Sequence, residues 1–484
     1  MMYVAFPNLT NEERLAGLPN LDLKLVQFSP ADLVRSVEGL ELKNAKLTSI
    51  VERPAYVVET AQGKTLSVFA DTGDIADRVT AESALAAAEA FYRHSLNARS
   101  DDSFDVSMVS ASVTQATVLF DQWTVSNSLN PHRPFYKVQF DNSEGLHLYV
   151  STATGQVVRD TTSHERFWNW LGANLHWIYP VQLRRYPSIW HWVVVVLSTI
   201  GVLSVLTGAT IGLMRLRLKR RYRDGDMTPY KGVNKLHHVV GMVSAVFLVT
   251  FITSGLLSMN PLGVFNAEGD CLVSETDYSG KFEGNQLAFD LAELRQMTGT
   301  AEGLKEVRFY QVVGEAHPIG IDQTGRRMLR EPSSRLSALV ERATGDAAAV
   351  CDERIEVVGQ SLLTEFDAYY YSHHGSKRPL PVFKLELDDL DRTWVYVDAQ
   401  TGEWIFSKTA TQRVQRWVYN GLHSLDFLFL IERRPLWDIV VISLCVIGSV
   451  MALSSVVLAY RRLQKRRKRD LSRNATGRLV QGSG

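Results

Sequence analysis

Three long apolar stretches constrain this chain more than anything else in it. Residues 188–214 (SIWHWVVVVLSTIGVLSVLTGATIGLM) contain no acid, lysine or arginine. Residues 236–259 (LHHVVGMVSAVFLVTFITSGLLSM) are charge-free apart from His237 and His238, and residues 436–460 hold only Asp438, near one end. About 20 apolar residues cross the hydrocarbon of a bilayer as a helix, so each stretch is long enough to span it. The overall mean hydropathy of −0.07 hides them by averaging with polar sequence. The whole chain is 45% apolar and 21% charged, which excludes wholesale disorder. Its 52 basic side chains balance 52 acidic ones, so no net charge draws it to nucleic acid. At about 150 residues per domain, 484 residues imply roughly three folding units.

Basic residues orient the spans. Arg215, Arg217, Lys219, Arg220, Arg221 and Arg223 follow the first stretch, and Arg461, Arg462, Lys465, Arg466 and Arg467 follow the third. The positive-inside rule makes both clusters cytoplasmic, so the expectation is an inner-membrane protein with a cytoplasmic C-terminus. Residues 1–187 and 260–435 are then extracytoplasmic, and Trp168, Trp170, Trp177, Trp190 and Trp192 form an aromatic belt at the outer boundary. The opening MMYVAFPNLTNEERL is neither a signal peptide nor a span, although a translocated domain needs one. A first helix upstream is therefore expected.

An internal repeat points the same way. At a fixed offset of 247, Pro134, Lys137, Tyr149, Thr154 and Gly155 match Pro381, Lys384, Tyr396, Thr401 and Gly402. Arg166, Trp170, Leu175, His176 and Trp190 match Arg413, Trp417, Leu422, His423 and Trp437. Residues 236–259 would pair with a segment ahead of Met1, so the complete architecture is expected to have four spans. Within the outer regions, SVFADTGD (67–74), LYVSTATGQV (148–157) and VYVDAQTGEW (395–404) read as hairpins with Thr-Gly turns. Helical patterns cover residues 30–37, 81–93 and 289–297. The fold expected is a multi-pass α-helical membrane bundle carrying two extracytoplasmic α+β regions, 1–165 and 260–412. Interfacial Trp/His segments (166–187 and 413–435), a loop at 215–235 and a tail at 461–484 complete it.

The helix-then-hairpin units resemble PepSY domains, and the spans resemble the PepSY-associated transmembrane proteins. The segments GVNKLHHVVGM (232–242), SGLLSMNP (254–261), YYYSHHGSKRPLPV (369–382) and RWVYNGLHSLDF (416–427) carry that likeness. Some proteins of this kind are inner-membrane reductases of ferric siderophores that hold b-type haem through helix histidines, in four spans. The resemblance implies a haem b transmembrane electron carrier that reduces an extracytoplasmic ferric, siderophore-like substrate. The cytoplasmic loop and tail are too short for a flavin or nicotinamide domain, so electrons would come from a separate reductase or from quinol. The competing expectation is non-enzymatic: a membrane-anchored binding, sensor or peptidase-regulating module.

Haem iron in helices needs facing imidazoles, and an ionisable side chain at membrane depth defaults to a functional hypothesis. His176 and His423, equivalent under the repeat, are the candidate outer pair; the alternative is a place in the aromatic belt. His237 or His238 is the candidate inner ligand, with its partner on the absent helix and that site incomplete here. Adjacent helical residues diverge by about 100°, so only one of the two faces inward, His237 being favoured. His191 reads as interfacial, and His373 and His374 as a solvent-facing loop. Cys271 and Cys351 share an oxidising compartment that permits a disulfide, and Cys445 reads as apolar filler. No C-x-x-C-H, H-E-x-x-H, phosphate loop or dinucleotide fingerprint occurs, which argues against c-type haem, zinc proteolysis and nucleotide-driven pumping.

Overall fold

The computed structural model describes residues 9–37, 40, 42–76, 79–98, 110–114, 116–267, 273–279, 287, 290–298, 303–312, 315–328, 340, 342–346, 355–372 and 378–481. It divides into two compact units. Residues 1–190 with 267–410 form a sheet-bearing unit, and residues 191–266 with 411–484 form a helical one.

The first segment of the sheet-bearing unit supplies strands β1 (Leu42–Ile50), β2 (Arg53–Thr60), β3 (Thr65–Phe69), β4 (Ala111–Val113), β5 (Phe135–Phe140), β6 (His147–Ser151) and β7 (Val157–Thr161). The second supplies β8 (Leu304–Val312), β9 (Glu315–Asp322), β10 (Arg327–Met328), β11 (Val357–Leu363), β12 (Val382–Leu387), β13 (Trp394–Asp398) and β14 (Trp404–Lys408). Two four-stranded antiparallel meanders result, β4-β5-β6-β7 and β11-β12-β13-β14. In each, a Thr-Gly turn joins the last two strands, and Gly155 (φ 71°) and Gly402 (φ 70°) take the left-handed backbone that a side chain disfavours. The third Thr-Gly segment makes the same turn, Gly73 N–H donating to Phe69 O and Phe69 N–H to Asp74 O, and its described return is short: the bridge Val68–Ile75 and Ala76 N–H on Ser67 O.

The remaining sheet is not anticipated by sequence. It has six strands in the order β10-β9-β8-β1-β2-β3, so hairpins from the two segments share one sheet. The joint is antiparallel, with Ala45 opposite Phe309, Lys46 opposite Arg308 and Leu47 opposite Val307. Helices pack on these sheets. These are α1 (Asn11–Ala16), α2 (Pro30–Ser36) and α3 (Ala81–Ala98) early in the chain. Serine and threonine caps start the first two: Thr10 with Glu13, and Ser29 with Asp32, form complete capping boxes. Leu33 of α2 packs with Leu47, Tyr56, Val58, Val307 and Phe309 in one apolar core. Ala84, Ala88 and Phe91 of α3 pack on Val138, Leu148 and Val150 of the first meander.

The joint sheet also buries charge. Glu306 on β8 is fully buried, and Arg14 grips its carboxylate through two 2.8 Å hydrogen bonds. Arg308 Nε donates to it at 2.6 Å, and Lys46 lies 3.9 Å away. Burial alone would push the Glu306 carboxyl upward, but Lys46, Arg14 and Arg308 outweigh it and hold the group far below the ordinary range. A buried charge that loses its partners costs about 3–5 kcal/mol. Glu306→Gln is therefore expected to lower unfolding stability by about 3 kcal/mol or more, read by denaturant titration of the full chain. Because Glu306 ionises more readily folded than unfolded, the wild-type contribution is complete above about pH 5 and is lost as pH falls below about 4. The variant should lack that acid-side loss, and an unchanged acid limb would refute the assignment.

After α3 come α4 (Ser163–Asn169), α5 (Val181–Arg184), α6 (Pro187–Arg215) and α7 (Val233–Ser258). The second segment adds α8 (Glu275–Ser279), α9 (Leu291–Thr298), α10 (Ala410–Arg416), α11 (Leu428–Ile431) and α12 (Leu436–Gln481). Three helices are long and apolar enough to cross a membrane: α6, α7 and the 436–467 part of α12. Most side chains of α6 and of that part of α12 are exposed, Leu203 at 59% and Leu453 at 65%, while α7 is mostly half-buried with Val246 at 77%. Apolar surface of that extent is suited to lipid. The hydroxyls of Thr199, Ser204, Thr207 and Thr210 on α6 donate to the carbonyl four residues back, as they must where water is absent.

Candidate functional site

Glycine lets α7 approach both of the other long helices. A Cβ at Gly212 of α6 would meet Met242 Sδ at 2.5 Å, and one at Gly201 would meet Ile252 at 3.3 Å. On the other side, Gly241 faces Met451 of α12 at 3.2 Å, and Gly448 faces Leu248 at 3.8 Å. Small residues at such contacts are what membrane helices use to bring backbones together. The close approach places His237, His238 and His423 each against a fixed acceptor.

His237 and His238 diverge, as neighbours on a helix do. His238 is buried, and its Nε2–H donates to the Gly212 carbonyl at 2.9 Å, with the Tyr230 ring 5.3 Å away. A carbonyl only accepts, so this histidine carries its proton on Nε2 and its lone pair on Nδ1. His237 turns to α12, where Nδ1 lies 3.0 Å from Ser454 Oγ. The single hydroxyl proton of Ser454 goes to the Met451 carbonyl at 2.8 Å, so the serine accepts from His237. That assigns the His237 proton to Nδ1 and leaves the lone pair on Nε2.

His423 meets the opposite end of α7. Its Nδ1 lies 2.9 Å from the Phe251 carbonyl and 3.2 Å from Ser254 Oγ, whose own proton also goes to Phe251 O. The proton therefore sits on Nδ1 here too, and the lone pair on Nε2. Tyr419 stacks on the imidazole at 5.2 Å between centroids, and a Cβ at Gly255 would touch its Cε1 at 3.3 Å. The ring is thus held on two sides and by two acceptors. From His237 to Phe251 and Ser254 is 14 to 17 residues, or about 21–26 Å along the helix axis. His423 and His237 occupy opposite ends of one span.

A π-helical turn, Trp417–Gly421, leads into His423, and a positive-φ residue, Leu425 (φ 55°), reverses the chain behind it. The buried Arg416 donates to the Asp426 carbonyl at 2.6 Å, and Trp437 Nε1 donates to Ser424 O at 3.2 Å. His176 belongs to the sheet-bearing unit. It is exposed, follows the π-helical turn Trp170–Asn174 and precedes Ile178 (φ 55°), while Trp190 Nε1 donates to Trp177 O at 3.0 Å. Cys271, Cys351, His373 and His374 lie outside the described residues; Cys445 is an exposed free thiol. Among the described residues, no three histidine, cysteine or acidic side chains gather into a metal-binding group.

A family model described as PepSY-associated TM region matches residues 47–306, more than half of the chain. The chain belongs to that family. No curated protein and no solved structure matches it. Within the match, this member of the PepSY-associated TM family carries α6 and α7 whole, together with His176, His237 and His238, while the match begins inside β1 and ends inside β8. The stretch ends before His423. The family and the three apolar helices make the protein an integral membrane one.

Imidazoles anchored at Nδ1 with a lone pair on Nε2 are the form in which histidine ligates iron, the anchoring partner fixing tautomer and ring orientation. The donor set at His237 and His423 is therefore compatible with haem iron. The serine and carbonyl partners were missed by sequence reading; the signal that could have found Ser254 and Ser454 is a hydroxyl inside an apolar run. Ser454→Ala removes the only acceptor named for His237 Nδ1–H and is expected to cost about 1–2 kcal/mol. Ser254→Ala leaves the Phe251 carbonyl in place and should cost under about 0.5 kcal/mol. Unfolding midpoints of the two variants in detergent rank them, and a reversed order would contradict the proton assignment.

Proposed function

We propose that the protein is a transmembrane electron carrier that binds haem b and reduces an extracytoplasmic ferric substrate of the siderophore type. The observation that carries the reading is the pair of anchored imidazoles, His423 and His237, with the same tautomer at the two ends of α7. Haem, when bound, supplies reversible one-electron chemistry. The work of this chain is to hold its ligands. Ser254 and the Phe251 carbonyl keep the His423 proton on Nδ1, Tyr419 and Gly255 fix the ring plane, and Ser454 does for His237 what Ser254 does for His423.

In this proposal the chain is an internal duplication, and His176 is the counterpart of His423 at the outer boundary. Support comes from features repeated 247 residues apart: the π-helical turns at 170 and 417, the positive-φ residues Ile178 and Leu425, and the indole bonds of Trp190 and Trp437. The two meanders, each with a cis proline at the start of its second strand (Pro134 and Pro381), belong to the same series. The sheet-bearing unit then lies outside the inner membrane and the basic ends of α6 and α12 lie in the cytoplasm. A separate reductase or membrane quinol delivers electrons, and each Fe³⁺ of the substrate takes one to become Fe²⁺.

Full-length protein purified from haem-supplied membranes should show a sharp b-type band in its reduced-minus-oxidised spectrum. His423→Ala and His237→Ala are each expected to remove about half or more of that signal while the chain still inserts, whereas Ser254→Ala should keep most of it. A correctly inserted, colourless wild type would end the redox reading.

A further inference from the structure

The joint sheet leaves positive charge unbalanced. Lys46 and Arg308 sit directly opposite on β1 and β8, an arrangement of like charges that destabilises a strand pair. With Arg14 they make three cations around the single carboxylate of Glu306. Both arginines are satisfied there, because each also donates to Asn11 Oδ1, at 2.9 and 3.0 Å. Lys46 is not. Its ammonium approaches Glu306 no closer than 3.9 Å, beyond hydrogen-bonding distance, with a quarter of its side chain exposed.

Lys46 lines a cavity of about 180 Å³ together with Arg14, Ser49, Ser128 and His132. His132 is a lining residue, and its buried Nδ1 has no hydrogen-bond partner among the described residues. The cavity is smaller than the roughly 300–1,000 Å³ of sites for drug-sized ligands, so a nucleotide or peptide is excluded. Among the described residues its polar side chains are two cations, two hydroxyls, the imidazole and the Gln156 amide, with no carboxylate, on an otherwise largely apolar wall.

We propose that this cavity binds a small oxyanion, a phosphate or a short carboxylate, between Lys46 and His132. An anion there offsets the like-charge pair across the β1–β8 joint, so it also tightens the sheet that the two segments share. Desolvation, reinforced by Arg14, pulls Lys46 down to about 7 against the opposing pull of Glu306. Desolvation and Lys46 together bring His132 down to about 4. A bound negative charge would favour the protonated forms of both. The site is separate from the histidines of α7, and its failure would leave the redox proposal standing.

The test is calorimetric titration and thermal unfolding of the full chain in nanodiscs, with inorganic phosphate, succinate and chloride as probes. Saturable binding of phosphate or succinate, with a raised unfolding midpoint and none for chloride, is expected, and the stronger of the two identifies the ligand class. Lys46→Gln should weaken binding about tenfold or more. Lys46→Arg should retain binding. His132→Gln, a milder change, should weaken it about threefold and decides the matter if Lys46→Gln fails to fold. Saturable binding of neither anion, or affinity unchanged in whichever of Lys46→Gln and His132→Gln folds, overturns the proposal.

Discussion

An imidazole among apolar helices has no water to bind, so its N–H must find an acceptor within the protein. That requirement shapes the helical unit. Each of the three histidines on or against α7 takes a different solution: a backbone carbonyl of α6 for His238, a hydroxyl of α12 for His237, and a carbonyl with a hydroxyl of α7 itself for His423. The glycines that let α6 and α12 approach α7 are what bring those acceptors within reach. Packing and protonation are therefore one problem. A bulkier residue at Gly212 would both displace Met242 and move the carbonyl that fixes the His238 tautomer.

The parts of this architecture that depend on local pattern were legible in the sequence. Length and apolarity marked the three long helices, and the Thr-Gly turns marked the hairpins ending at β7 and β14, where glycine alone takes the backbone easily. The segment at 67–74 shares the same letters and makes the same turn, with a shorter return among the described residues.

What escaped the sequence is long-range. Nothing local in β1 announces that its partner lies some 260 residues later in β8, and a fully buried Glu306 reads in sequence as one more surface acid. The acceptors of the histidines were hidden for a related reason: two of them are backbone carbonyls, which every residue owns and no motif distinguishes. The candidate site was thus half visible. The histidine types and their order along the chain could be found, whereas the atoms that decide which ring nitrogen carries the lone pair could not.

The β1–β8 joint has a consequence for biosynthesis. Between its two strands the ribosome must make α6 and α7, so β1 leaves the ribosome long before the strand that covers its edge. Until then β1 offers an unpaired ladder of backbone groups, and the first segment cannot complete its largest sheet. Closure of that sheet reports that the helical hairpin has been made and that the chain after it has come back to the same compartment as β1. The topology thus ties completion of the sheet to insertion: a chain whose second segment stays on the other side is left with the β1 edge unpaired.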